Sequence, residues 1–268
     1  MADRDHAFLL RGLGRDRSPS DRLASSDKAR IETRHRKIPQ SEKSPGDPKM
    51  QEIVRPDPAV RIEETLAAIL SDGLVLAIRL KEKDQILDVC HAAVKGGIKI
   101  LEITLTTPGA IEAIGELSSN KGLLVGGGTA LTISDVAAIA QAGGRFAMSP
   151  VFDPEVVDES ERFGLLAVPG TATPNEIMAA HRHGARLVKV FPSGPLGGPD
   201  FLRFVRGPLP EIPLIPTSGP TADNLEEYLA AGAVALGVGR DVFVKGFSLS
   251  SIEDSARKLR ETITKARR

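Results

Sequence analysis

Two charged residues stand inside stretches that otherwise read as buried strand. In Arg186-Leu-Val-Lys-Val-Phe-Pro-Ser193, side chains alternate, so Val188 and Val190 share one face while Leu187, Lys189 and Phe191 share the other. Pro192 ends the strand because it has no N–H to donate. In Ile98-Lys-Ile-Leu-Glu-Ile-Thr104, the same alternation groups Ile98, Ile100, Glu102 and Thr104. Strands of a parallel sheet are covered on both faces, where a charge is costly unless it is paired or neutralised. A buried lysine that sheds its proton is an amine nucleophile, and a carboxylate beside it can carry protons. Three readings are open: a surface strand whose lysine meets water, a structural Glu–Lys pair, or a nucleophile with its proton carrier.

Other candidate residues cluster where strands end. Gly126-Gly-Gly-Thr129, Ser149-Pro150, Pro169-Gly-Thr-Ala-Thr173, Pro216-Thr-Ser-Gly-Pro220 and Gly237-Val-Gly-Arg240 each follow an apolar run. Glycine at such places lets a ligand approach backbone N–H groups, although a plain tight turn uses it equally. The last two sites are where barrels commonly hold phosphate. Arg240 suits a bidentate clamp on an anion, or a surface salt bridge. The five histidines have no metal-ligand spacing and no Ser-His-Asp order. Cys90 is the only cysteine and sits in an apolar helix pattern, so a buried thiol is expected and an intrachain disulfide or Cys metal cluster excluded. No GxGxxG or Walker motif follows any strand, which leaves a nucleotide site unsupported.

The elements that must position these residues alternate along the chain. Strands are expected at 74–80, 98–105, 122–126, 145–148, 165–169, around Lys189, 212–216 and 234–237. Helices are expected at 62–71, 83–95, 108–117, 134–142, 154–160, 174–183, 222–231 and 252–266. Eight strands at this spacing predict a compact (β/α)₈ TIM barrel over residues 55–268 with a short N-terminal helix; an open doubly wound sheet is the rival. The strand-end Gly, Thr and Ser residues favour the barrel, because all its strand C-termini share one face. Hydrophobic residues make up 41% with no tryptophan and one tyrosine, so the core must be aliphatic. Residues 1–49 hold 12 basic and 8 acidic side chains, leaving 23 and 27 for the rest. The polar head, residues 1–54, reads as a disordered extension, or as sequence upstream of a true start at Met50. The slightly acidic body argues against nucleic acid, no run is long enough to span a membrane, and a cytoplasmic protein is expected.

Taken in order, Leu101-Glu-Ile-Thr-Leu105, Gly126-Gly-Gly-Thr129, Ser149-Pro150, Val168-Pro-Gly-Thr171, Val188-Lys-Val-Phe-Pro-Ser193 and Pro216-Thr-Ser-Gly219 resemble the 2-keto-3-deoxy-6-phosphogluconate / 4-hydroxy-2-oxoglutarate aldolases. The resemblance covers about residues 60–266, and Phe191–Pro210 is similar to the related 2-keto-3-deoxy-6-phosphogalactonate aldolases. It implies a class I aldolase, homotrimeric, on a (β/α)₈ barrel, with neither metal nor cofactor and a small keto-acid substrate. Lys189 would form the Schiff base and Glu102 would shuttle protons. Thr129, Pro150 and Phe191 would line the pyruvate part of the site, with Thr106, Thr171, Ser218, Gly219, Gly237, Gly239 and Arg240 around the rest of the substrate.

Four positions depart from the family pattern. Thr106 replaces an arginine, Ser218-Gly219-Pro220 replaces a glycine pair, and Arg240 replaces a serine. Arg79 falls one residue before the family's strand-ending arginine, which would turn it to the opposite face. The expected reaction is cleavage of a 2-keto-3-deoxy-6-phospho sugar acid to pyruvate and glyceraldehyde 3-phosphate. An unphosphorylated substrate such as 4-hydroxy-2-oxoglutarate, and a non-catalytic anion-binding barrel, remain as alternatives.

Overall fold

The computed structural model describes residues 57–240, 242–243 and 246–267. The expected extension, residues 1–54, lies outside them. The first helix, α1 (Pro58–Asp72), is capped by Asp57, whose carboxylate accepts from the Ala59 N–H, and is stopped by Gly73 in the left-handed region at φ 79°. There follow β1 (Leu74–Ile78), α2 (Ile86–Lys95), β2 (Ile100–Thr104), α3 (Ala110–Ser118), β3 (Leu124–Gly128), α4 (Ile133–Gln141) and β4 (Phe146–Met148). The second half carries α5 (Pro154–Arg162), β5 (Leu166–Val168), β6 (Gly170–Thr171), α6 (Pro174–Arg182), β7 (Val188–Val190), α7 (Pro199–Arg206), β8 (Leu214–Pro216), α8 (Leu225–Ala230), β9 (Leu236–Val238) and α9 (Leu249–Ala266).

All strand pairs are parallel, in the orders β5-β4-β3-β2-β1-β9 and β6-β7-β8. β5 and β6 are one strand interrupted at Pro169, which has no N–H but whose carbonyl accepts from Lys189 N at 2.9 Å. A parallel bridge from Thr217 to Gly237 links the end of β8 to β9. The result is an α/β fold built on a curled parallel sheet, with α2–α9 outside it and α1 packed against its inner layer.

Two elements differ from the sequence expectation. β3 runs two residues further, because Gly126, Gly127 and Gly128 are strand rather than turn. Their missing side chains are required: a Cβ at Gly126 would fall 2.5 Å from the Phe146 ring, and one at Gly127 2.3 Å from Ile139. Helix α7 was not expected at all, since Gly197, Gly198 and Pro199 read as loop. Proline at its first turn is a helix starter there, and Leu202 and Val205 bury its inner face.

The core has two layers. Leu74, Leu76, Ile78, Leu101, Ile103, Val188 and Val190 face outward under the helices. Val75, Ile100, Phe146, Met148, Leu166, Val168, Leu187, Ile215 and Ala235 fill the inside of the curl together with Ile62 and Ile69 of α1. Each fully buried aliphatic contributes ~1.5–3 kcal/mol. Arg145, just before β4, ties α1 to the N-terminal edge of the sheet through Thr65 Oγ1 at 3.2 Å and the Arg61 carbonyl at 3.2 Å. By alternation from Ile100 and Leu187, Glu102 and Lys189 belong to the inner face, nearer the strand C-termini.

Candidate active site

Lys189 and Glu102 meet inside the curl. Lys189 Nζ lies 3.6 Å from Glu102 Oε1, with the side chains only 8% and 3% exposed. That burial excludes the reading of a lysine in open water. The separation is long for an ammonium–carboxylate bond, which is commonly ~2.7–2.9 Å. Among the described residues Glu102 has no other side-chain partner and Lys189 has one further neighbour, the Phe191 ring, centred 5.4 Å from Nζ.

The backbone around the pair is fixed by short parallel registers. Glu102 sits opposite Ala77 on one side and Gly126 on the other, and Lys189 lies between Gly170 and Ile215. Thr171 holds the lysine strand from its neighbour, donating Oγ1 to the Lys189 carbonyl at 2.9 Å. Gly128 makes room for the carboxylate: a Cβ there would fall 2.1 Å from Glu102 Oε1. The glycine run that seemed to offer backbone to a ligand thus first accommodates Phe146, Ile139 and the acid itself.

At the rim, Thr129 has a left-handed backbone at φ 60° and accepts a hydrogen bond from Arg79 Nη2 at 3.3 Å. This corrects the expectation for Arg79. β1 ends at Ile78, and the inner-face sequence Val75, Ala77, Arg79 brings the guanidinium to Thr129 rather than away from it. A shift of one residue along a strand reverses the face of every side chain, and the register of β1 against β2 sets Arg79 on the Glu102 face. Pro150 packs its backbone against Gly170, where a Cβ would come within 2.4 Å. Phe191 precedes Pro192 through a cis peptide bond.

The residues expected to hold the far part of a substrate divide. Ser218 is exposed with φ 56°, and its carbonyl accepts from Gly194 N at 3.2 Å, so the loops after β7 and β8 are stitched together. Gly219 is hemmed by the Tyr228 hydroxyl and Ser193 Oγ, which would lie 2.2 and 2.5 Å from its Cβ. Those hydroxyls bond each other at 3.2 Å, and burial raises the Tyr228 pKa despite that bond. Gly237 makes way for Thr217, and Gly239 for the Ala77 carbonyl. Arg240 is exposed after β9, with no ion pair among the described residues. Thr106 is exposed and turned toward its own strand, bonding Thr104 Oγ1 at 3.2 Å, which in turn donates to the Ile78 carbonyl at 3.0 Å.

Thr217 was quoted in a motif but not singled out. Its hydroxyl is buried and makes no hydrogen bond among the described residues, although it follows inner-face Ile215 along the chain by two. Buried hydroxyls nearly always have partners, and a water or a ligand group could supply this one. Tyr228 had one available signal, being the chain's only tyrosine.

A strand lysine and a strand glutamate lie buried together below a rim of threonine, serine and glycine at the C-terminal end of a parallel sheet. The sequence model of the KDPG and KHG aldolase family matches residues 66–255, and the chain belongs to that family. It is 39% identical over 158 residues to a 2-dehydro-3-deoxy-phosphogluconate aldolase of Pseudomonas aeruginosa, covering 57% of this chain and 70% of that one. It is 30% identical over 186 residues to a probable 2-dehydro-3-deoxy-6-phosphogalactonate aldolase of Rhizobium meliloti, covering 68% and 87%. Among solved structures, KDPG aldolase from Legionella pneumophila, captured with pyruvate as a covalent carbinolamine, superposes with a TM-score of 0.67. The two chains share 29% identity, covering 73% of this one and 97% of the other. Among the described residues no helix is long and apolar enough to cross a membrane.

Proposed function

We propose that Lys189 is the Schiff-base amine and Glu102 the proton carrier of a class I aldolase that cleaves a 2-keto-3-deoxy-6-phospho sugar acid. The observation that carries this is the loose pair itself: two buried charged groups 3.6 Å apart, with almost nothing else bonded to either. A carbinolamine in the Legionella relative supports the same first step here. The Lys189 amine adds to the C2 carbonyl, and loss of water gives an iminium. Glu102 accepts the C4 hydroxyl proton, directly or through water, as the C3–C4 bond breaks and its electron pair moves toward the iminium. The aldehyde leaves; the enamine is protonated at C3 and hydrolysed to pyruvate, freeing Lys189.

Arg79 and Thr129 suit the substrate carboxylate, with Pro150, Phe191 and Thr171 walling the pyruvate end. The Ser218-Gly219 and Gly237–Arg240 loops suit the phosphate, and the unpaired Thr217 hydroxyl suits a substrate hydroxyl between. Thr106, bonded back to Thr104, leaves carboxylate recognition to Arg79. Residues 55–268 are the catalytic body. We read its sheet as a closed eight-stranded barrel with β5 and β6 as one strand. The Thr217–Gly237 bridge and the 3.0 Å bond from Val234 N to the Leu214 carbonyl support closure. Leu131 and Val151, on the loops after β3 and β4, and Ile133, at the start of α4, are exposed apolar residues that suit a homotrimer interface; a cytoplasmic location rests on the family resemblance alone.

Borohydride reduction in the presence of pyruvate, followed by peptide mass spectrometry, tests the assignment. An adduct on Lys189 is expected; folded protein with no adduct at millimolar pyruvate overturns it. Comparing kcat/KM for 2-keto-3-deoxy-6-phosphogluconate and 4-hydroxy-2-oxoglutarate then separates the phosphorylated from the unphosphorylated substrate.

A further inference from the structure

The opposite end of the sheet carries a second concave site. Where β2 and β3 begin, between the C-terminal turns of α1 and α9, lies a cavity of about 610 Å³. Lys99, Lys121, Arg145, Arg260 and Arg267 line it against the single carboxylate of Asp72. The floor is apolar, with Ile100 and Ile263 among its residues. Ile100 is also part of the inner core layer that separates this cavity from Glu102, so the cavity is no extension of the Lys189 site.

The cations fall into two kinds. The arginines are anchored: Arg260 donates to Asp72 at 2.7 Å and to the Gly97 carbonyl at 3.0 Å, and Arg267 to the carbonyls of Leu70, Ser71 and Val234 at 2.9, 2.8 and 2.7 Å. Arg145 is held by Thr65, the Arg61 carbonyl and Glu64. Each keeps guanidinium hydrogens beyond those bonds, and their positions are set in advance, which lowers the ordering cost of binding. Lys99 and Lys121 are exposed and make no ion pair among the described residues. Two unneutralised ammoniums beside fixed guanidiniums, in a cleft with low-dielectric walls, concentrate positive potential. A volume in the usual range for small-molecule sites, ~300–1,000 Å³, fits a compact ligand rather than a polymer.

We propose that this cavity binds a small polyanion, a multiply charged phosphate or polycarboxylate, at a site separate from the catalytic one. The anion bridges the Lys99 and Lys121 ammoniums to Arg145, which precedes β4, and to Arg260 and Arg267 in and just after α9. Being a cationic, rim-exposed site, it weakens as salt rises.

Calorimetric titration of the full-length protein with inorganic pyrophosphate tests this, with two charge-reversal variants that separate the two ends. The Lys99→Glu/Lys121→Glu variant should lose binding by about tenfold or more while Arg240→Glu retains one saturable event. Both lysines are exposed, so the variant should fold; circular dichroism checks this, and Lys99→Gln/Lys121→Gln serves if it does not. No saturable binding to the wild type, or binding unchanged in the lysine variant, or binding lost only with Arg240→Glu, overturns the proposal.

Discussion

Two buried or part-buried ion pairs, one near each end of the sheet, differ in how they are made. Arg260 and Asp72 lie 2.7 Å apart, with side chains 21% and 11% exposed, and the arginine is further bonded to the Gly97 carbonyl. Lys189 and Glu102 lie 3.6 Å apart at 8% and 3% exposure, with no comparable support. Burial makes charge expensive, and the gain from pairing offsets it only when geometry is good and the remaining hydrogen-bonding capacity is satisfied. The better-buried pair is therefore the worse-made one. A pair selected for stability would be expected in the reverse order, which favours the proposed catalytic reading of Lys189–Glu102 over the structural one. The Arg260–Asp72 pair joins α9 to α1; the Lys189–Glu102 pair leaves an amine and an acid available to a third party.

The largest break in that comparison should come from Lys189→Met. Removing the nucleophile should lower kcat by ~10³-fold or more and abolish the borohydride adduct. Glu102→Gln should lower kcat by ~10²–10⁴-fold while the pyruvate adduct still forms, because proton transfer rather than attack is lost. If either variant retains wild-type turnover in a coupled pyruvate assay, the roles are misassigned. Replacing both members with apolar residues should leave the melting temperature unchanged or raise it, since apolar substitutes for buried pairs are often neutral or stabilising.

Gly128→Ala should come next. The added methyl would meet the Glu102 carboxylate at 2.1 Å, so the acid must move while the strand stays. A displacement of this order is expected to cost ~10²-fold in kcat, read in the same assay with a near-native circular dichroism spectrum. Activity within a factor of two would show that the position of Glu102 is not critical.

Gly128 also shows where reading the sequence succeeded and where it could not. The odd charges, the order of strands and the motif set were legible because alternation is local. The strand role of Gly126–Gly128 was not. Glycine alone signals a turn, and only the positions of Phe146, Ile139 and Glu102, brought in from other elements, explain its presence in a strand. Helix α7 was hidden for a related reason, since its glycine and proline prefix looks like loop until Leu202 and Val205 find a core. Arg79 was misplaced because a register error of one is invisible without the neighbouring strand, whereas the pairing of Ala77 with Glu102 settles it. The unpaired hydroxyl of Thr217 and the cationic cavity depend on what is absent around them or assembled from distant segments, which no stretch of sequence displays.

The smallest effect on turnover should come from the other pair. Arg260→Met removes a charge-assisted bond to Asp72 and a bond to the Gly97 carbonyl, each at a part-buried position. The expected loss of stability is ~1–3 kcal/mol in urea unfolding, since such bonds contribute modestly and the exposed fraction of the pair is screened. Asp72 keeps access to solvent, which limits the penalty for its lost partner. Catalytic kcat should stay within a factor of two, because the inner core layer of Ile100, Phe146 and Leu166 stands between this end and Glu102. A large fall in kcat with unchanged stability would mean that the two ends of the sheet are coupled.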